Sequence, residues 1–328
     1  MHLFSTTWSA REYCGVLHLR LIVPTELTDV VIDELIASPG VVHIVVGVGS
    51  ATRPEGQLVM CDVAREAADA VVERLQDHDV HRTGAIMIDT VEVAVSDAAA
   101  AAEVAAPGHP GDSLVWEQLE ARTRDEADLT VSFLVFMSIA ATIAAIGILL
   151  DSAVLIIGAM VVGPDYGPLA ALCVALVRRR RHHALLALRT LFVGVVVAGI
   201  VALCATLLFR LTSIAPASYV LGERQLTAFV SRPDALAAVV AVMAGIVGML
   251  SLTEGRSGAL IGVLVSVTTI PAIGNIGAAA AYRAWDDAAG AALQLGVNVT
   301  GLVVAGVFTL YLQARATTST ATSRNRGR

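Results

Sequence analysis

The chain has 328 residues, of which 56% are hydrophobic and only 16% are charged, and its mean hydropathy is +0.72. Stretches of eighteen or more apolar residues recur along it, which excludes a wholly soluble protein and predicts an integral membrane protein. The formal net charge is −7, and the sequence has no basic domain interleaved with aromatic residues, so nothing in it indicates nucleic-acid binding.

The first 97 residues differ from the rest and predict a small soluble α+β domain. Alternating apolar residues predict strands, and two amphipathic stretches predict helices, the first with Thr25 as its N-cap and Gly40 as its C-terminal stop. The resulting order is βαββαβ, which is the split βαβ or ferredoxin-like pattern. We recognise no nucleophile–base pair and no glycine-rich phosphate loop in this part, so the fold by itself assigns no activity. The predicted elements lie at 16–24, 26–40, 41–51, 57–64, 65–78 and 84–96.

Residues 98–129 connect this domain to the apolar region. The alanine-rich stretch 98–111 contains two prolines and predicts a linker. Residues 112–129 predict a short amphipathic helix, which either lies at the membrane interface or serves as a helical spacer. A transmembrane domain follows at 130–312, and residues 313–328 predict a disordered cytoplasmic tail.

The transmembrane domain is predicted to contain about six helices. Each apolar segment can cross a hydrocarbon core of about 30 Å at about 1.5 Å per residue. Arginines 178–181 and the arginines of the C-terminal tail fall on the same side of this arrangement, so the positive-inside rule predicts that both termini are cytoplasmic and that the membrane is the inner, or plasma, membrane. The segments lie at 130–150, 152–177, 184–209, 235–252, 257–281 and 288–312.

Two of the segments contain helix-breaking residues at their midpoints. The second has Pro164 and Gly167 within "VVGPDYGPLA", and the fifth has Pro271 and Gly274 within "TTIPAIGN". Proline removes a helical hydrogen bond, and glycine accepts backbone angles that other residues resist. Interrupted segments at corresponding positions predict a 3+3 inverted repeat with a binding site at the midplane. The simpler alternative is that both are kinks that allow the helices to pack.

Asp165 is the only acid deep within a predicted span. An ionised side chain at the bilayer centre costs at least about 2.5–3.5 kcal/mol, so such a residue usually faces a polar cavity, is protonated or pairs with a cation. Polar and helix-breaking residues of the second, fifth and sixth segments predict a solute or ion pathway formed by Pro164, Asp165, Tyr166, Gly167, Thr268, Thr269, Pro271, Asn275 and Asn298.

The strings "AATIAAIGILLDSAVLIIGAMVVGPDYGPLAAL" and "SGALIGVLVSVTTIPAIGNIGAAAAY" resemble the bacterial uncharacterised hydrophobic-domain membrane proteins of domain of unknown function 389. The resemblance covers about residues 112–312 and implies a polytopic membrane protein, but it brings no substrate or catalytic residue. Many members have Pro-Leu-Met-Gly-Pro at the first break, whereas this chain has Pro-Asp-Tyr-Gly-Pro at 164–168. The resemblance therefore implies no family-wide role for Asp165.

These features favour a transporter or channel for a small solute or ion, linked to a cation or a proton. The N-terminal domain would regulate it or form a homo-oligomer, and no cofactor or metal is expected. The alternative is a membrane-anchored ligand sensor or scaffold that acts through the N-terminal domain. An intramembrane enzyme using Asp151 and Asp165 is the least favoured, because the sequence has no Gly-x-Gly-Asp or HExxH motif, and we therefore expect no enzyme activity.

Overall fold

The computed structural model describes residues 16–91, 94, 96–106, 116–216, 219, 227, 230, 235–254 and 269–325. The chain divides into two units, one formed by residues 1–118 and 313–328 and the other by residues 119–312.

The N-terminal domain is a four-stranded antiparallel sheet with helices between its strands. The strands follow the order β2-β3-β1-β4, and the elements have the βαββαβ order that the sequence predicts. A 3₁₀ turn at Thr25–Leu27 precedes the first helix, so Thr25 does not cap that helix as predicted. The elements are β1 Val16–Val23, α1 Thr28–Ala37, β2 Val41–Thr52, β3 Glu55–Ala64, α2 Arg65–Asp77, the single turn α3 Val80–Thr83 and β4 Ala85–Thr90.

The core of this domain lies on one face of the sheet, because successive side chains of a strand point to opposite faces. Leu17, Leu19 and Leu21 of β1 are fully buried together with side chains of β3, α1 and α2. Residues at the intervening positions, such as His18 and Asp62, are partly exposed on the other face. This face carries polar side chains.

The stretch predicted as a linker contains a helix instead. Residues Asp97–Ala105 form α4, whose N-cap Ser96 accepts a hydrogen bond from the Ala99 N–H. Alanine is the strongest helix former and serine a strong N-cap, which explains a helix in an alanine-rich stretch. Ala106, directly after the helix, is buried in the domain core, so the folded domain extends past the predicted boundary at residue 97.

The second unit is helical. Among the described residues, four helices are long and apolar enough to cross a membrane, and α7 with α8 form a fifth candidate that is bent by 53°. These helices indicate a multi-pass membrane protein. The fifth predicted span is described only in part, by α11, and α12 continues to Asn325 through much of the tail predicted to be disordered. The helices are α5 Trp116–Ala127, α6 Val131–Leu149, α7 Ala153–Val162, α8 Tyr166–Val177, α9 Arg181–Leu211, α10 Ala235–Glu254, α11 Thr269–Ala281 and α12 Trp285–Asn325.

Helices α6, α9 and α11 pack together through small residues. Alanines of all three helices are buried in one cluster with Phe133, Met137, Ile270 and Ile273. On α11, a Cβ at Gly277 would lie 2.8 Å from the Ala202 Cβ of α9. Small side chains let helix backbones approach closely, and this approach is a main source of packing between membrane helices.

Helix α5 packs on α8 and α9. It buries Thr123 and Ala127, and Thr190 of α9 donates a hydrogen bond to the Ala127 carbonyl at 2.7 Å. Glu120 accepts a charged hydrogen bond from Arg178 at 2.8 Å. At the other end of α8, Gly167 lies against Glu126 near the end of α5.

Candidate functional site

The interruption of the second span is the centre of the candidate site. Helix α7 ends before Gly163, and α8 begins after Asp165 with the 53° bend between them. Pro164 has no N–H and cannot continue a helical hydrogen-bond ladder, so the break occurs where the sequence predicts it. A Cβ at Gly163 would lie 2.5 Å from Cγ1 of Ile270, and the missing side chain thus allows α11 to contact the break.

The Asp165 side chain is buried at this break, with 5% of its surface exposed. It occupies the N-cap position of α8 but makes no capping hydrogen bond. Its Oδ2 accepts a short hydrogen bond from the hydroxyl of Thr269, which is itself buried. The structure thereby brings together two of the predicted pathway residues that are 104 positions apart in sequence.

The described helix α11, Thr269–Ala281, contains both Pro271 and Gly274 without interruption. The residues of the fifth predicted span that precede Thr269 lie outside the described residues. Gly274 serves close packing instead, because a Cβ there would lie 2.7 Å from the Ala141 carbonyl oxygen of α6. Thr268, another predicted pathway residue, lies outside the described residues.

A cavity of about 540 Å³ adjoins the break on the side of α5. We call it the acidic vestibule, and it is lined by Asp125, Glu126, Asp128, Pro164, Tyr166 and Gly167, among others. The three acids are exposed residues that precede the first span. The sequence analysis missed them, although their clustering in "RDEAD" directly before an apolar segment was a signal that could have found them.

Glu126 lies against the first turn of α8. Gly167 has no side chain, and a Cβ at this position would lie 2.9 Å from the Glu126 Cβ. Gly167 is thus a helical residue that makes room for Glu126, and not the site of unusual backbone angles that the sequence predicts. Although the residue is exposed overall, loss of solvent around its carboxylate at the vestibule raises the pKa of Glu126 above its ordinary value, and the opposing effect of the Arg122 charge is smaller.

Glu126→Gln is expected to remove one step from the dependence of stability on pH. Because the folded pKa of Glu126 is raised, its contribution to stability is fully present below the ordinary value of 4.5 and is lost as pH rises through the folded pKa. The glutamine variant has no proton to lose there, so its thermal midpoint in detergent should fall less than that of the wild type as pH rises from 4 to 7. Asp125→Asn controls for the loss of a negative charge nearby. Identical profiles for wild type and Glu126→Gln would contradict the prediction.

Tyr166 adds an unsatisfied polar group to the vestibule. Its side chain is buried, and its hydroxyl has no hydrogen-bond partner within the described part of the chain. Buried hydroxyl groups nearly always have a partner, which is often water or a bound ligand. The hydroxyl is therefore suited to bind a solute, or water that accompanies one.

The remaining predicted pathway residues are buried but take other partners. Asn275 Oδ1 accepts a short hydrogen bond from the Tyr219 hydroxyl, and Asn298 Oδ1 accepts one from Gln294 at 3.2 Å. Asp151 Oδ1 accepts hydrogen bonds from the backbone and the hydroxyl of Thr227, at 3.0 and 2.9 Å. The hydrogen-bond partners of Asp151 and Asp165 are thus different residues.

The comparisons with known proteins concern this helical unit. Residues 160–304 match the family model described as Domain of unknown function (DUF389). Neither a curated protein nor a solved structure matches the chain. The matched residues include the Gly163–Asp165 break, Thr269, Asn275 and Asn298. Residues 160–304 are thus similar to DUF389, which agrees with the family that the sequence resembles.

Proposed function

We propose that this protein is a transporter or channel for a small cation or for protons, with a pathway that passes through the acidic vestibule to Asp165. The single observation that carries the proposal is the buried Asp165 carboxylate, held at a broken apolar helix by Thr269. One hydroxyl donor does not neutralise a carboxylate, and Asp165 forms no ion pair with any described residue. A buried carboxylate at a broken membrane helix is suited to bind a proton or a cation transiently as it crosses the membrane.

The break itself adds partial negative charge. The last carbonyls of a helix lack intrahelical partners, and together they are equivalent to about half a negative charge. The C-terminal end of α7 lies at Gly163 and thus next to Asp165. Non-helical backbone at membrane depth is tolerated where it lines a cavity, and the vestibule reaches Gly163 and Pro164.

The acids of the vestibule also favour a cation or a proton as the solute. Asp125, Glu126 and Asp128 give one sign of charge to a concave surface, and such surfaces raise the local concentration of counter-ions. Rings and clusters of carboxylates are also the usual selectivity elements of cation channels. The vestibule therefore favours entry of cations over entry of anions.

The proposal includes an inverted repeat, a membrane location and a role for the N-terminal domain. The two halves of the helical unit form an inverted repeat, and the Asp165–Thr269 hydrogen bond supports this arrangement because it joins the second predicted segment to the fifth. The chain resides in the inner membrane with both termini in the cytoplasm, and the N-terminal domain regulates a homo-oligomer.

The test is flux through the purified full-length protein in liposomes. Separate gradients of Na⁺, K⁺ and H⁺ are imposed, and internal dyes for each ion report the flux, with protein-free liposomes as control. We expect at least one of these ions to cross faster than in the control. If folded protein passes none of them, the cation pathway is refuted, and the sensor or scaffold function of the N-terminal domain becomes the better explanation.

A further inference from the structure

The open face of the N-terminal sheet carries a connected set of polar side chains outside the membrane unit. Asp62 of β3 bonds two histidines, His18 Nδ1 at 2.7 Å through Oδ1 and His43 Nδ1 at 2.7 Å through Oδ2. The other ring nitrogen of His43, Nε2, lies 2.9 Å from the hydroxyl oxygen of Ser96. A hydroxyl, an imidazole and a carboxylate therefore form one hydrogen-bonded series, Ser96–His43–Asp62.

Irregular backbone puts His43 in this series. Strand β2 departs from its regular register with β3 between Val42 and Val45, so the strand is bulged at His43. His43 itself has a φ of 53°, in the left-handed region that residues other than glycine rarely adopt. Bulges of this kind redirect a side chain and are frequent next to active sites, and strained backbone also concentrates there.

The two hydrogen bonds of the His43 ring are consistent with a single assignment of donors and acceptors. If His43 carries its proton on Nδ1, it donates to Asp62, and Nε2 then accepts from the Ser96 hydroxyl. The Ser96 oxygen also accepts from the Ala99 N–H at 3.3 Å, in the first turn of α4. The capping role of Ser96 requires neither the histidine nor the aspartate, so it does not account for the series.

We propose that Ser96 is the nucleophile of an acyl-transfer site, with His43 as general base and Asp62 as the residue that orients it. A nucleophile bonded to a base, with the base held by a third group, is the geometric signature of such sites whatever their position in the sequence. The sequence analysis recognised no such pair, because the three residues lie on β2, on β3 and before α4. This inference is independent of the proposed transport function.

The substrate class is a carboxylic ester. The Ser96 oxygen attacks the ester carbonyl as its proton passes to His43 Nε2, and the bond to the alcohol breaks as His43 returns that proton to the leaving oxygen. Water then attacks the acyl–Ser96 ester and gives a proton to His43, which passes it to the Ser96 oxygen. The net reaction converts an ester and water into a carboxylic acid and an alcohol. The His43 side chain is 39% exposed, so the bulk of a substrate has access from solvent.

The test uses the full-length protein in detergent with two probes. A fluorophosphonate reports covalent reaction at serine, located by peptide mass spectrometry, and p-nitrophenyl acetate reports turnover. We expect labelling at Ser96 that exceeds labelling at Ser152, a serine that caps α7 through its own hydrogen bond to the Leu155 N–H. His43→Gln should slow both reactions at least about 100-fold, the low end of what a general base contributes.

Ser96→Asn separates catalysis from folding, because asparagine is as good an N-cap as serine but has no hydroxyl. This variant should keep the thermal midpoint of the wild type and lose all labelling at position 96 and its share of ester hydrolysis. Labelling of Ser96 no faster than that of Ser152, or labelling unaffected by His43→Gln in a folded protein, would overturn the proposal.

Discussion

Asp165→Asn is expected to lower the cation or proton flux of the reconstituted protein by about 10- to 150-fold, which corresponds to the roughly 1.5–3 kcal/mol of an interaction with a charged group. Asparagine has nearly the same shape, and its side-chain oxygen can still accept the hydrogen bond from Thr269. The substitution therefore removes the charge and leaves the packing of the break in place. The measurement is initial flux of the ion that the wild type transports.

Asp151→Asn is the matched control, because it makes the same chemical change at a carboxylate bonded to Thr227 and not at the break. It should retain most of the flux. Both variants are first compared with the wild type by size-exclusion profile and thermal midpoint in detergent. Wild-type flux through a folded Asp165→Asn protein would remove Asp165 from the mechanism. Equal losses of flux in both variants would show that the total negative charge of the helical unit, and not the carboxylate at the break, controls flux.

Gly274→Ala is expected to destabilise the helical unit. The added Cβ would lie 2.7 Å from the Ala141 carbonyl oxygen, 2.7 Å from the Ala144 Cβ and 2.9 Å from the Ala145 nitrogen. Two of these atoms belong to the backbone of α6, so relief requires α6 and α11 to move apart. Overpacking of this kind costs about 1–3 kcal/mol, and we expect the upper part of that range.

Gly158→Ala is the control for Gly274→Ala. It makes the same change in α7, where a Cβ would meet nothing within 4 Å, and alanine in a helix is favoured over glycine by about 0.5–1 kcal/mol. Thermal unfolding in detergent should therefore show a lower midpoint for Gly274→Ala only. Equal midpoints for both variants would contradict the close contact between α6 and α11.

The acidic vestibule is a structural feature that composition alone does not reveal. The cluster at 125–128 is visible in the sequence, but acids before an apolar segment are most simply explained as a solvated helix end. Only the packing of α5 against α8, through contacts such as Glu120 with Arg178, brings these acids to the break. The pairing of Asp165 with Thr269 is equally a product of tertiary structure, since no local pattern connects residues so far apart.

Features that depend only on residues near one another in the sequence could be predicted from the sequence. Alternating apolar side chains determine the four strands, the length of apolar runs determines the membrane helices, and the fixed φ and missing N–H of Pro164 determine the break. Pro271 and Gly274 show the same proline–glycine spacing but lie within the described helix α11, where close packing against α6 requires a glycine at position 274. The sites at Asp165, Glu126 and Ser96 were decided by tertiary structure alone, because each is formed by side chains from different elements that only folding brings within hydrogen-bonding or packing distance.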